Sequence, residues 1–514
     1  MTAILLYFVL TSILLHTVRP GSMFRHRNLI SSNTRGPIRI WVDYTDSDIE
    51  WLATDMRDRY AFSKKLIEQT QAYYASVIIV KRQQREYTWP DVKIFDEVTV
   101  KGRTVPYDLW TYFRAYRAVD SKIADADVCE FDKITGRPIV GYFELNLNAI
   151  TTKPANLILL MGTFVHEFYH ILVFNYDLFD KFIKADGSLV GRDNLIRQYP
   201  VIIKGQIRQA YIGENVLNFA RKFLNYPMLQ GVVLENDGGE GSAGSHWEHM
   251  YWSTDFMAPS DTNPSLLSEL SLSMALDSGW YDVDSRFAET LEYGKGAGVD
   301  IQTDSCPTAE INGFCDSEGE LSCSPDFKYK ARCYTDKTYS EGCLFKQANV
   351  VCSIPDSYGI DVDPNVEILG ESSRCVMTST FLKISRPRCA KAECSGTSTI
   401  KYTFAKGKTC ICEADGGSGS CSDSSISVRC PASVSDFCER MQDGNRCPAD
   451  CSGRGLCLGI PGYKTCFCTY AWQGVDCKTA NLAESDQKVV IERKSKAYIR
   501  ILMAFFSILS WIAF

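Results

Sequence analysis

His166 and His170 stand four positions apart, with Glu167 beside the first, in the pattern H-E-x-x-H. On a helix, residues four apart share a face about one turn apart. Two imidazoles so placed can bind one divalent metal together. Zinc suits two imidazoles with a position left open, and a carboxylate next to the first ligand can take a proton from a water held there. The same three residues in an ordinary buried helix are two hydrogen-bonded histidines and a partnered carboxylate. The motif alone does not choose between these readings.

The element that must position this pattern is a helix, and its flanks supply one. Thr151 or Thr152 suits the cap and Pro154 the first turn. From Leu157 to Phe174 there is no proline, and Gly162 is the only glycine. A three-ligand site needs one more donor. The six histidines are His16, His26, His166, His170, His246 and His249. His16 falls in the N-terminal stretch that reads as a signal peptide, which leaves His26, His246 and His249. Glu214, in a stretch with helical spacing from Tyr211 to Leu224, is the carboxylate alternative. His246 has the better surroundings. It ends the segment Gly238-Gly239-Glu240-Gly241-Ser242-Ala243-Gly244-Ser245-His246, and glycines there allow positive φ and a close backbone approach to a metal.

Glu235-Asn236, the GGEGSAGSHWE segment and Asp255-Phe256-Met257-Ala258-Pro259 together resemble the leishmanolysin family of cell-surface zinc metalloproteases. That family is a metzincin branch in which a long insertion separates the third histidine from the H-E-x-x-H helix. The resemblance implies His166, His170 and His246 as ligands of one Zn²⁺ and Glu167 as general base. It also implies Met257 as the methionine of a Met-turn, beneath the metal without binding it. The match covers about 128–305 well and 35–127 weakly. One position departs from it. The metzincin motif continues H-x-x-G, and here that glycine is Val173. A β-branched residue does not readily adopt positive φ, so the turn is expected at Asn175, or the helix is expected to run longer. The family's propeptide cysteine has no counterpart, because Asn28 stands where it would be, so a cysteine-switch latency is not expected. His26 reads as a remnant of that segment or as a surface histidine.

The 514 residues allow several domains, and a diffuse net charge of −7 offers no nucleic-acid surface. Residues 1–22, with an apolar run from Ile4 to Leu15, read as a signal peptide, with a signal anchor as the alternative. Residues 23–305 form the expected protease domain. Within it Pro37–Asp43 and Ser76–Lys81 read as strands and Asp48–Ala75 as a helix. The run Val128–Asn148 resembles the family's cleft-edging strand, to which an extended substrate adds. Ser265–Ser278 reads as a helix ended by Gly279.

All but one of the 21 cysteines lie between Cys306 and Cys477, and Cys129 is the exception, either free or paired downstream. Such density is a disulfide framework made in an oxidising compartment. Residues 306–445 are a cysteine-rich domain, and 446–478 look like an EGF-like module. By that resemblance Cys447 pairs with Cys457, Cys451 with Cys466, and Cys468 with Cys477. Residues 479–514 are a polar spacer and an apolar tail, Ile501–Phe514. This suits a GPI signal with Asn481 or Ser485 as acceptor, or a short membrane anchor.

The expected fold class is therefore an α+β metzincin-type zinc protease domain, followed by a disulfide-rich region and a small EGF-like module. The expected function is a zinc-dependent endopeptidase tethered at the cell surface and acting on extracellular protein or peptide substrates, with no nucleic-acid partner. The alternative is a catalytically degenerate adhesion or recognition protein working through its cysteine-rich and EGF-like parts.

Overall fold

The computed structural model describes residues 35–480 apart from 45–53, 82–85, 96–97, 120–121, 151–153, 240, 261–264, 337, 354–360, 371, 381–384, 442–446, 459–464 and 469–471. The signal peptide, His16, His26, the GPI acceptor and the apolar tail lie outside the described residues. Among the described residues no helix is long and apolar enough to cross a membrane.

The first half of the chain is built on a mixed four-stranded sheet. Its strands are β1 (Ile40–Asp43), β2 (Leu109–Tyr116), β3 (Ala124–Phe131) and β4 (Pro138–Asn146), in the order β1-β2-β4-β3. β1, β2 and β4 run parallel, and β3 pairs antiparallel with β4 at the edge. Alternation along each strand sends its apolar residues to both faces. Leu109, Phe113, Phe143 and Leu145 face one core, while Trp110, Tyr112, Ile139 and Val140 face a second that also holds Tyr87, Trp89 and Ile94.

Two helices, α1 (Thr54–Val77) and α2 (Pro154–Leu172), cover the first face. Phe143 of the sheet meets Phe164 and Phe168 of α2 at ring-centroid distances of 5.2 and 5.6 Å. At Gly141 of β4 a Cβ would come 2.5 Å from Ile171 and 2.8 Å from the Asp127 carbonyl, so glycine lets α2 lie flat against the sheet. Tyr74 of α1 donates to the Val165 carbonyl of α2, which fixes the two helices lengthwise.

Three expectations change in detail. Pro37–Asp43 is not one strand. Arg35–Pro37 joins a separate sheet with Ile78–Lys81 and Tyr281–Val283, while β1 starts only at Ile40. Proline lacks the N–H a continuing ladder needs, and Arg39 turns both its backbone N–H and its guanidinium to Asp108. The run Val128–Asn148 is likewise a hairpin rather than one strand. Asp132 accepts from Thr135, Gly136 adopts φ 71°, and only β3 lies at the edge. Finally, the helix read from Ser265 begins at Glu269, capped by Ser268. The preceding residues bond elsewhere: Leu266 donates to Thr254, and Phe256 donates back to Leu266.

Beyond α2 come β5 (Ile196–Ile203), β6 (Gln206–Tyr211), α3 (Glu214–Leu224), β7 (Val232–Val233) and α4 (Glu269–Asp277). β5, β6 and β7 form one antiparallel sheet. The cysteine-rich half carries a three-stranded sheet, Leu321–Cys323, Tyr329–Tyr334 and Phe345–Val351, and then a six-stranded sheet assembled from Ser373 to Arg429. Ten disulfides join Cys306–Cys343, Cys315–Cys333, Cys323–Cys375, Cys352–Cys389, Cys394–Cys438, Cys410–Cys421, Cys412–Cys430, Cys447–Cys457, Cys451–Cys466 and Cys468–Cys477. Cys129 on β3 is a free, half-buried thiol, pushed up to about 12 by burial and by Asp127 and Glu130.

Candidate metal centre

Three segments converge on one point: the C-terminal end of α2, the glycine-rich loop after β7, and the turn around Met257. The Nε2 atoms of His166, His170 and His246 lie 2.9, 3.0 and 3.1 Å from one another. Tetrahedral zinc with Zn–N near 2.0–2.1 Å separates its nitrogen ligands by about 3.3 Å, so the spacing suits one small cation. Among the described residues no other histidine joins the group.

The opposite ring nitrogens define the protonation. His166 Nδ1 contacts the Phe256 carbonyl at 2.5 Å, His170 Nδ1 the Phe174 carbonyl at 2.7 Å, and His246 Nδ1 the Ser242 carbonyl at 2.9 Å. A carbonyl can only accept, so each Nδ1 carries the proton and each Nε2 presents a lone pair. Three lone pairs facing each other cannot hydrogen-bond among themselves. They fit a cation. Burial, with repulsion from the neighbouring imidazoles, lowers His166 to about 3 and takes His246 well below its ordinary value; burial alone lowers His170 to about 4. All three rings are therefore neutral at pH 7, as metal ligands must be.

The exit from α2 differs from both expectations. The helix ends at Leu172, and Asn175 is extended at φ −137° rather than left-handed. The N–H groups of Val173 and Phe174 both donate to the Tyr169 carbonyl, at 2.9 and 3.0 Å. This brings the Phe174 carbonyl, beyond the helical ladder, back to His170. Asn175 instead caps the following 3₁₀ turn, Tyr176–Lys181, by accepting from the Asp177 N–H. No glycine is needed, because no residue here takes positive φ.

The loop that carries His246 is closed by backbone bonds. The Glu235 N–H donates to the His246 carbonyl at 3.0 Å, and the Gly244 N–H donates to the Glu235 carbonyl at 2.8 Å. Gly244 sits at φ 79°, and a Cβ there would come 2.6 Å from the Tyr176 ring, so both its torsion and its contact require glycine. The Ser245 hydroxyl accepts from the Tyr176 N–H at 3.2 Å, which ties the loop to the exit of α2.

Met257 is fully buried, and its carbonyl accepts from the Trp247 N–H at 3.1 Å, next to His246. Asp255 builds this turn. Its carboxylate accepts from the Met257 N–H at 2.7 Å and from the hydroxyls of Ser271 and Ser268 on and before α4. Burial pushes Asp255 up to about 6 against those bonds.

The structure separates the rival ligands from the group. Glu214 is exposed at the start of α3. His249 is buried, edge-on to Phe345 at 5.3 Å, and its backbone N–H donates to the Glu235 carboxylate. Glu167 lies on α2 between the two helical ligands and is part-exposed. The three orienting carbonyls and Asp255 were not identified from sequence as site residues. Any residue type supplies a carbonyl, so only Asp255, inside the DFMAP segment, left a readable signal.

The leishmanolysin family profile (peptidase M8) matches residues 50–412, and so runs past residue 305 into the cysteine-rich region. The chain is similar to the leishmanolysin-like peptidase of Drosophila melanogaster, 28% identical over 211 residues, covering 36% of this chain and 31% of that protein. It is also similar to the ciliated left-right organizer metallopeptidase of Mus musculus, 30% identical over 231 residues, covering 43% of this chain and 32% of that protein. The human protein of the same name is 28% identical over 284 residues, covering 52% of this chain and 35% of that protein. The matched stretch thus spans about a third of the length of these relatives.

Proposed function

The chain belongs to the leishmanolysin family, and we propose that it is a zinc-dependent endopeptidase acting on protein or peptide substrates outside the cell or at its surface. In this reading His166, His170 and His246 hold the metal, Glu167 is the general base, and Met257 anchors the turn behind the site. One observation carries it: three imidazoles, His170 and His246 buried and His166 half-buried, each with Nδ1 turned to a backbone carbonyl, aim three Nε2 lone pairs at one point within 2.9–3.1 Å of each other. Bound zinc supplies Lewis-acid polarisation of a peptide carbonyl and acidifies water toward neutrality.

The remaining steps belong to the chain itself. Glu167 follows His166 directly on α2, on the helix that carries two of the ligands. It takes the proton of the attacking water and returns it to the leaving amine. The carbonyls of Phe256, Phe174 and Ser242 keep the rings in one tautomer and one orientation. β3 pairs with β4 alone among the described residues, so its outer edge offers backbone groups for an extended peptide. Ten disulfides support passage through an oxidising compartment. Residues 446–478, with three disulfides closed over 9, 10 and 15 positions, act as an EGF-like spacer or binding module in this reading.

The test is Glu167→Gln, with zinc content and cleavage of a protein substrate both measured. The expected result is wild-type zinc content with turnover lower by about 10²–10⁴-fold. Retained zinc with unchanged turnover rejects Glu167 as base. A wild-type chain that binds zinc yet cleaves nothing, with or without chelator, favours a recognition role instead.

A further inference from the structure

Behind the loop that carries His246 lies a buried charge cluster drawn from both halves of the chain. Arg208, on β6, has a fully buried side chain. Its Nη1 lies 3.8 Å from Oε2 of Glu248, which is 1% exposed and two residues past His246. Its Nη2 forms an ion pair with Glu341, which belongs to the cysteine-rich half. Glu341 stands at φ 50°, a left-handed conformation that a residue with a side chain adopts at a cost. Such a residue persists only where its surroundings over-determine it, and here they aim its carboxylate at a buried guanidinium.

The segment around Glu341 also reaches the stretch that follows the Met257 turn. Asp336 accepts from the Ser260 hydroxyl at 3.1 Å, three residues past Met257. The same carboxylate accepts from the N–H groups of Thr338 and Tyr339 and so holds the turn leading to Glu341. The Tyr339 ring lies 6.3 Å from that of His249, and its hydroxyl sits against Gly238, where a Cβ would approach to 2.7 Å. Cys343, bonded to Cys306, is buried in the main core of the protease half. One short stretch thus braces both the His246 loop and the flank of the Met257 turn.

We infer that residues 338–343 form a clamp that positions His246, with Glu341 as a positioning residue acting through Arg208 and Glu248. This rests on the proposed metal-binding role of His246. The physical reason is the cost of a buried charge. Without Glu341, Arg208 keeps only the longer contact to Glu248 and must draw that carboxylate in or admit water. Either response moves the loop that carries His246.

The experiment uses the full chain with Glu341→Gln, which keeps the shape and removes the charge. Zinc affinity is measured by chelator competition, coordination by the visible spectrum of the cobalt-substituted protein, and loop order by amide exchange over 235–248 in the metal-free chain. The control is Glu367→Gln, which removes a buried charge between Lys330 and Arg388 in the same half. Expected for Glu341→Gln are a zinc dissociation constant about ten- to hundredfold higher, a changed cobalt spectrum and faster exchange over 235–248. Glu367→Gln should change none of these. Unchanged affinity or unchanged exchange in Glu341→Gln overturns the clamp, as does the same response in Glu367→Gln. If the wild type binds no zinc through His166 and His170 while exchange still quickens in Glu341→Gln, the clamp stands and the metal reading falls.

Discussion

The half of the chain that carries His166, His170 and His246 has one cysteine among its described residues, and it is unpaired; the half from Cys306 to Cys477 has ten disulfides. The first half is held by burial. Its main cluster runs without a break from Ile38 and Val42 through the aromatic face of α2 to Trp247, Phe256 and Met257. The second half divides its apolar residues among small clusters in which cysteines are frequent members. A region that cannot close one large core restricts its unfolded chain covalently instead. The metal centre therefore sits where side-chain packing sets position, and the stapled half reaches it through the segment around Glu341 and Cys343.

Four experiments break or sharpen that contrast. His246→Ala should abolish both stoichiometric zinc binding and cleavage of a protein substrate. The far-ultraviolet circular dichroism of the metal-free chain should stay as it is, because the surrounding core does not depend on the cation. Loss of the folded signal along with the zinc would place the metal among the structural supports of that half. Reduction under native conditions comes next. Each bridge contributes about 3–4 kcal/mol for loops of this size, so residues 306–477 should become protease-sensitive while fragments spanning α1 to α4 persist. Limited proteolysis with mass spectrometry reads the pattern, and simultaneous loss of both halves would show that the core does not stand alone.

Phe168→Ala removes a fully buried ring packed on Phe143 and should destabilise the first half by about 3–5 kcal/mol. The shift in denaturant midpoint with disulfides intact measures it. The smallest effect concerns pH. Burial holds His166 at about 3 and His170 at about 4, below the ordinary 6.5. Below pH 6.5 the unfolded chain therefore binds protons that the folded, metal-free chain excludes, and stability falls as pH drops through that window. The melting temperature of the chelator-treated chain should decline from pH 7 to 5, and His170→Gln should flatten the decline.

Much of the centre was legible because its parts are local. An i, i+4 pair on an apolar, proline-free helix specifies its own geometry, and α2 spans the stretch that Pro154 and the downstream run imply. The glycine-rich segment likewise marks a loop whose torsions only glycine readily adopts, as at Gly244. The exit of α2 was less legible. The motif puts a glycine where Val173 stands, yet the chain turns without positive φ because Tyr169 takes two N–H groups and His170 recovers the Phe174 carbonyl. The hairpin in Val128–Asn148 is a different case: its turn residues, Asp132 to Gly136, stand in the sequence, and Asp132 accepting from Thr135 with Gly136 at positive φ divides the run into two strands.

By itself, the order of residues determined the helix with its two imidazoles and carboxylate, the short list of third donors, and the division into a cysteine-poor and a cysteine-dense half. These depend on side-chain type at short spacing. Only the tertiary structure decided that His246 joins the pair while His249 turns into the core. Only it showed that backbone carbonyls set all three tautomers, and that Glu341 reaches Arg208 from the far half. Carbonyls are common to every residue, and a contact across a long stretch of chain is set by how two cores dock, which no local spacing records.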